Sequence, residues 1–139
     1  MKINGERVRV SGNDFIKISR LTSDFTDLDQ VENFWLHNIT AMTAKLLANH
    51  FNDNNPQRVI VEDCTVEVCK ILFRPRNFTR TNTLDLINLS PDAASHTAAV
   101  LPFTQVGGLV LEVHSVEALD RIGALLPISK IQIRALKNV

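Results

Sequence analysis

Short bursts of alternating apolar and variable residues recur along this chain at nearly constant spacing. The burst Val59-Ile60-Val61-Glu62-Asp63-Cys64 returns 25 residues on as Leu84-Asp85-Leu86-Ile87-Asn88-Leu89, and 25 further on as Leu109-Val110-Leu111-Glu112-Val113-His114. Phe34-Trp35-Leu36-His37-Asn38-Ile39 stands 25 residues upstream of the first. Val8-Arg9-Val10-Ser11-Gly12-Asn13, 26 residues before that, and Ile131-Gln132-Ile133-Arg134-Ala135-Leu136, 22 residues past the last, complete six copies. Successive side chains on a strand point to opposite faces, so the alternation predicts strands near 8–10, 34–36, 59–61, 84–86, 109–111 and 131–133. The pairs Val59/Val61, Leu84/Leu86, Leu109/Leu111 and Ile131/Ile133 are then expected to form a core ladder, and Ile60, Asp85, Val110 and Gln132 to face solvent.

Between the strands the apolar spacing becomes helical. Residues 41–51 place Met42, Leu46 or Leu47, and His50 or Phe51 on one stripe, closed by the turn-forming run Asn52-Asp53-Asn54-Asn55-Pro56. Val66, Cys69, Ile71 and Phe73 mark the next connector. A helix over 93–101 follows, which Ser90 or Asp92 can cap with Pro91 in its first turn. Val116, Leu119, Ile122 and Leu126 repeat the plan before Pro127, whereas residues 14–30 read as a strand extension followed by a short helix. Strand and helix in strict alternation predict an α/β fold with a parallel sheet. A constant period of roughly 20 to 50 residues predicts that the units stack as a solenoid. Residues 1–139 are thus expected to form a single domain of six repeats.

In this register the chain resembles the leucine-rich-repeat superfamily, whose pattern is L-x-x-L-x-L-x-x-N/C-x-L. Val31-x-x-Phe34-x-Leu36-x-x-Ile39, Val59-x-Val61-x-x-Cys64-x-Val66 and Val106-x-x-Leu109-x-Leu111-x-x-His114-x-Val116 carry the likeness. The Asn/Cys position holds Asn13, Ile39, Cys64, Leu89, His114 and Leu136, so two of the six copies keep the family's residue. The resemblance implies short parallel strands on a concave face and helices on a convex one, with partners bound on the strand face. Repeats of this length are similar to those of F-box substrate adaptors of ubiquitin ligases, which implies a substrate-binding role.

Composition narrows the function classes. Fifteen basic and fifteen acidic residues give no net charge, and hence no electrostatic footprint for nucleic acid. No apolar run approaches the roughly 20 residues that span a bilayer, and Met1 to Arg7 lacks a signal-peptide core, so an intracellular protein with no membrane contact is expected. Cys64 and Cys69 match no metal or disulfide spacing and read as reduced, buried thiols. The sequons at Asn38, Asn77 and Asn88 read as chance in that compartment.

Candidate chemistry is sparse. His37, His50, His96 and His114 show no ligand spacing, no nucleophile motif is present, and Gly107-Gly108 precedes a strand and reads as a tight turn, so neither metal nor cofactor is expected. What remains is a surface. Parallel stacking sets Arg9, Trp35, Ile60, Asp85, Val110 and Gln132 in one outward column and Ser11, His37, Glu62, Ile87, Glu112 and Arg134 in another. Trp35, Ile60, Ile87 and Val110 then form an apolar stripe framed by His37, Glu62, Asp85, Glu112, Gln132 and Arg134, the composition of a protein-binding hot spot. The expectation is non-catalytic recognition of a protein partner. Two readings compete with it: a small enzyme using Asp63, His37, His114 or Glu112, and a self-associating module that pairs its exposed edge strands, Val8–Val10 and Ile131–Ile133. The last repeat motif ends three residues before the chain does, so a longer parent or a paired edge is expected there.

Overall fold

The computed structural model describes residues 2–4, 7–12, 31–101, 106–125 and 131–136. Seven strands form one open sheet in sequence order: β1 (Lys2–Asn4), β2 (Arg7–Ser11), β3 (Asn33–His37), β4 (Arg58–Glu62), β5 (Thr83–Ile87), β6 (Gly108–Val113) and β7 (Ile131–Leu136). Four described helices alternate with them: α1 (Ala41–Asp53), α2 (Val66–Leu72), α3 (Pro91–Val100) and α4 (Val116–Leu125). The fold is α/β, and β2 to β7 pair in parallel. Each strand lies beside the next and each helix beside the next, so neighbouring units meet through both layers. The connector 14–30 and the Leu126 and Pro127 positions lie outside the described residues.

Strand registers follow the repeat. Phe34, Val59, Leu84 and Leu109 pair in one line, and Leu36, Val61, Leu86 and Leu111 in another, all of them buried. The helices bring Leu47, Phe51, Cys69, Leu72, Ala94 and Ile122 onto the same core. A row of rings crosses the units inside it: Phe34 to Phe51 at 5.0 Å, Phe51 to Phe78 at 5.1 Å and Phe78 to Phe73 at 5.5 Å between centroids.

One local device follows the strands β2 to β5. The residue after the strand adopts a left-handed backbone, with φ of 50° at Gly12, 47° at Asn38, 53° at Asp63 and 54° at Asn88. Gly, Asn and Asp are the residues that take this conformation at least cost. The backbone N–H groups of these turns form a ladder of their own, Asn38 donating to Glu62 O at 2.9 Å, Asp63 to Ile87 O at 3.1 Å and Asn88 to Glu112 O at 2.9 Å. Next comes a buried apolar residue (Ile39, Cys64, Leu89), then a hydroxyl N-cap. Thr40 accepts from Thr43 N at 3.3 Å, Thr65 from Val68 N at 3.3 Å, Ser90 from Ala93 N at 3.2 Å and Ser115 from Ala118 N at 3.3 Å. The sequons at Asn38 and Asn88 are this turn written out: a left-handed Asn, a buried residue and a capping hydroxyl. At the third, Asn77 is buried and its amide donates to Leu72 O at 2.8 Å.

Three expectations are corrected. The sheet is not wholly parallel and β2 is not its edge, because β1 pairs antiparallel with β2, Ile3 opposite Val8. Only Gly5 and Glu6 separate those strands, a length that bridges an antiparallel pair and no parallel crossover. Met42 is 58% exposed: the buried stripe of α1 runs through Ala44, Leu47, Ala48 and Phe51, and Met42 lies two residues off it. Val116, at the first position of α4, is 53% exposed, while Ala118 and Ile122 face the core.

Candidate functional site

The sheet face opposite the helices carries the outward residues of β2 to β6. Register sets Arg9, Trp35, Ile60, Asp85, Val110 and Gln132 side by side across six strands, as the repeat implies. Trp35 is 38% exposed and held on both sides. The Arg9 guanidinium lies over its ring at 4.3 Å from the centroid, and its Nε1 donates to Glu62 Oε1 at 2.8 Å. Ile60, its register partner, is half-buried beside it, and Val110, also half-buried, lies two strands further on beyond Asp85.

Asp85 and Ile87 are not exposed. Asp85, expected in solvent, is 0% exposed between its register partners Ile60 and Val110. Arg58 closes over it with two hydrogen bonds, Nε to Oδ1 at 3.0 Å and Nη2 to Oδ2 at 2.6 Å. Those hydrogen bonds hold the Arg58 guanidinium above its ordinary range. The pair is neutral as a unit and offers little charge to a partner. Ile87 is buried between the longer side chains of its register partners Glu62 and Glu112.

Register fails at one place. Leu111 pairs with Ile133 but Glu112 pairs with Ala135, so Arg134 falls in a bulge and not beside Glu112 as the repeat predicts. The irregularity follows a residue substitution in the turn. Val113 stands where Asn88, Asp63 and Asn38 stand in earlier units, and a β-branched side chain resists the left-handed backbone, so Val113 ends a longer β6.

Where the strands end, ionisable groups gather. His37 Nε2 lies 3.2 Å from Asp63 Oδ2, Asn88 Nδ2 donates to Asp63 Oδ1 at 2.7 Å, and Glu62 stands next to both. One potential ligand atom from each of His37, Glu62 and Asp63 lies within 4.8 Å of the other two. Sequence spacing hides this trio, since His37 and Asp63 are 26 residues apart and meet only through the stacking of turns. A second imidazole–carboxylate contact, within one unit, joins His114 Nε2 and Glu112 Oε2 at 3.3 Å. Glu112 itself is largely covered, its side chain 13% exposed.

The other sequence candidates have structural places. His50 is buried against Phe34 and Phe51, and His96 Nε2 approaches Phe73 O at 3.3 Å. Cys64 and Cys69 are free, buried thiols, and burial pushes them up to about 11 and about 12, which keeps them protonated and poor nucleophiles. Cys64 Sγ faces the carbonyls of Glu62 at 3.4 Å and Leu36 at 3.9 Å, a packing and turn role. A Cβ on Gly107 would stand 2.7 Å from Asn82 O, which explains a glycine in that tight turn.

Among the described residues no helix is long and apolar enough to cross a membrane. No protein-family model, curated protein or solved structure matches this chain.

Proposed function

We propose that the chain is a short leucine-rich-repeat-like solenoid and that the helix-free face of its sheet recognises a protein partner without catalysing a reaction. The observation that carries this reading is Trp35, a large aromatic side chain standing partly exposed on an open face and fixed there by Arg9 and Glu62. A ring already held in one position loses little rotamer freedom on binding, which is the economy of a hot-spot anchor. Ile60 and Val110 extend the apolar area. Glu62, Asp63 and His37 form its polar rim at the strand ends, so the partner is expected to bring an apolar side chain to Trp35 and a basic group to the rim.

The test is an affinity pull-down from cell lysate comparing the wild-type chain with Trp35→Ala/Val110→Asp at matched folded concentration, followed by titration of any captured protein. Loss of Trp35 is expected to cost about 2 kcal/mol or more, roughly thirtyfold in Kd, with the fold intact. Ubiquitin-ligase subunits among the lost partners would extend the reading to a substrate adaptor. The same partners at the same affinity with both proteins would sink it.

A further inference from the structure

We infer that His37, Glu62 and Asp63 form a binding site for a divalent transition-metal ion, with zinc the cation that suits it. An imidazole with two carboxylates is a borderline donor set of the kind zinc accepts, and three protein ligands leave a fourth position for water or a partner's side chain. The geometry is close to what zinc needs. Bonds of about 2.0 Å set tetrahedral ligands roughly 3.3 Å apart, and His37 Nε2 already stands 3.2 Å from Asp63 Oδ2. One potential ligand atom from each of the three side chains lies within 4.8 Å of the other two, so small adjustments bring all three onto one ion.

A second observation distinguishes this trio from an ordinary group of surface charges. Each carboxylate is oriented by a donor outside the trio: Trp35 Nε1 holds Glu62 Oε1 at 2.8 Å, and Asn88 Nδ2 holds Asp63 Oδ1 at 2.7 Å. Glu62 is engaged through Oε1 and Asp63 through Oδ1, while Asp63 Oδ2 faces His37 Nε2, the two atoms a metal would bridge. Outer hydrogen bonds of this kind aim metal-binding carboxylates. Asp63 and Asn88 occupy the rigid left-handed turns, so their spacing is set by the backbone ladder and not by loop conformation. Zinc takes the place of the hydrogen bond between His37 Nε2 and Asp63 Oδ2 and binds the imidazole in its neutral form, any displaced proton moving to Nδ1 or to solvent. The site neither requires nor excludes protein recognition by the same face.

The chain's single tryptophan is Trp35, whose indole bonds to Glu62, so its fluorescence reports the site directly. The untagged protein is titrated with Zn2+ alone, and in parallel with Mg2+ alone. The expected result is a saturable fluorescence change at one zinc per chain, a rise in thermal midpoint, and no response to Mg2+. His37→Ala is expected to weaken zinc at least tenfold, and Asn88→Gly about tenfold, since loss of an outer partner typically costs 10- to 100-fold while glycine keeps the left-handed turn. Asp63→Asn, which also tolerates that turn, gives the same reading should His37→Ala misfold. No saturable response to millimolar Zn2+, an equal response to Mg2+, or full affinity in folded His37→Ala would each overturn the site.

Discussion

Asp85 shows how a single residue on a nominally wet face can become structural. Its carboxylate has no exposure, while the Arg58 side chain that neutralises it is 43% exposed. The two members of the pair therefore fail differently when removed. Arg58→Ala withdraws the cation from a buried carboxylate, and unlike a surface pair this leaves a charge in a poorly solvated place. Asp85→Asn keeps shape and a hydrogen-bond acceptor, and the guanidinium can turn to water. We expect Arg58→Ala to cost about 2 kcal/mol, discounted from the 3–5 kcal/mol typical of fully buried pairs because Arg58 is part exposed, and Asp85→Asn to cost clearly less. Urea denaturation of both variants checks the order. Equal losses would mean that Asp85 is already solvated in the native state.

At the scale of the element, the strand-to-helix turn is the repeated unit of design. Its three positions, left-handed residue, buried residue and hydroxyl cap, come from three different physical demands, and each predicts a different tolerance. Asn38→Gly should be neutral within a few tenths of a kcal/mol, whereas Asn38→Val should cost about 1–2 kcal/mol because a β-branched residue is forced to positive φ. Thr40→Ala and Ser90→Ala should each cost about 1 kcal/mol for the lost cap. These two caps lie two units apart, so the double variant should show the sum. Thermal melts of the four single variants and the double variant test the scheme, and a strongly non-additive pair of cap mutations would show that the helices do not terminate independently.

For the whole molecule, sequential packing means that interior units are supported on two sides and terminal ones on one. β4 and β5 have parallel partners on both flanks and lie beside the ring row of Phe34, Phe51, Phe78 and Phe73. β1 is a three-residue strand at one side of the open sheet, with β2 as its neighbour. Amide hydrogen exchange should accordingly be slowest at Val59, Val61, Leu84 and Leu86 and fast in Lys2–Asn4. Phe51→Ala, which opens a cavity in the ring row, should cost about 3–5 kcal/mol and lower protection across β3 to β5 together. Protection that is uniform along the sheet, or highest in β1, would contradict this order of stability.

Much of this architecture was legible in the sequence. The period fixed the order and parallel pairing of six strands, the line of core residues from Phe34 to Leu109, and the helical character of the connectors, since alternation and register are one-dimensional properties that stacking merely repeats. Ser90 and Pro91 announced a helix start in the same way. What the sequence left open depends on neighbours across the stack. Asp85 is polar, and only its flanking by Ile60 and Val110 under Arg58 buries it. Arg134 sits at the right spacing, and only the bulge in the pairing of β6 with β7 moves it out of register. His37 and Asp63 are unrelated in sequence, and the stacked turns alone bring them within hydrogen-bonding distance. Local pattern determined which residues form strands, turns and caps, because those choices rest on backbone and side-chain preferences within a few residues. Exposure, ion pairing and the meeting of His37, Glu62 and Asp63 were decided by the tertiary structure, because they depend on distances between units that no single unit encodes.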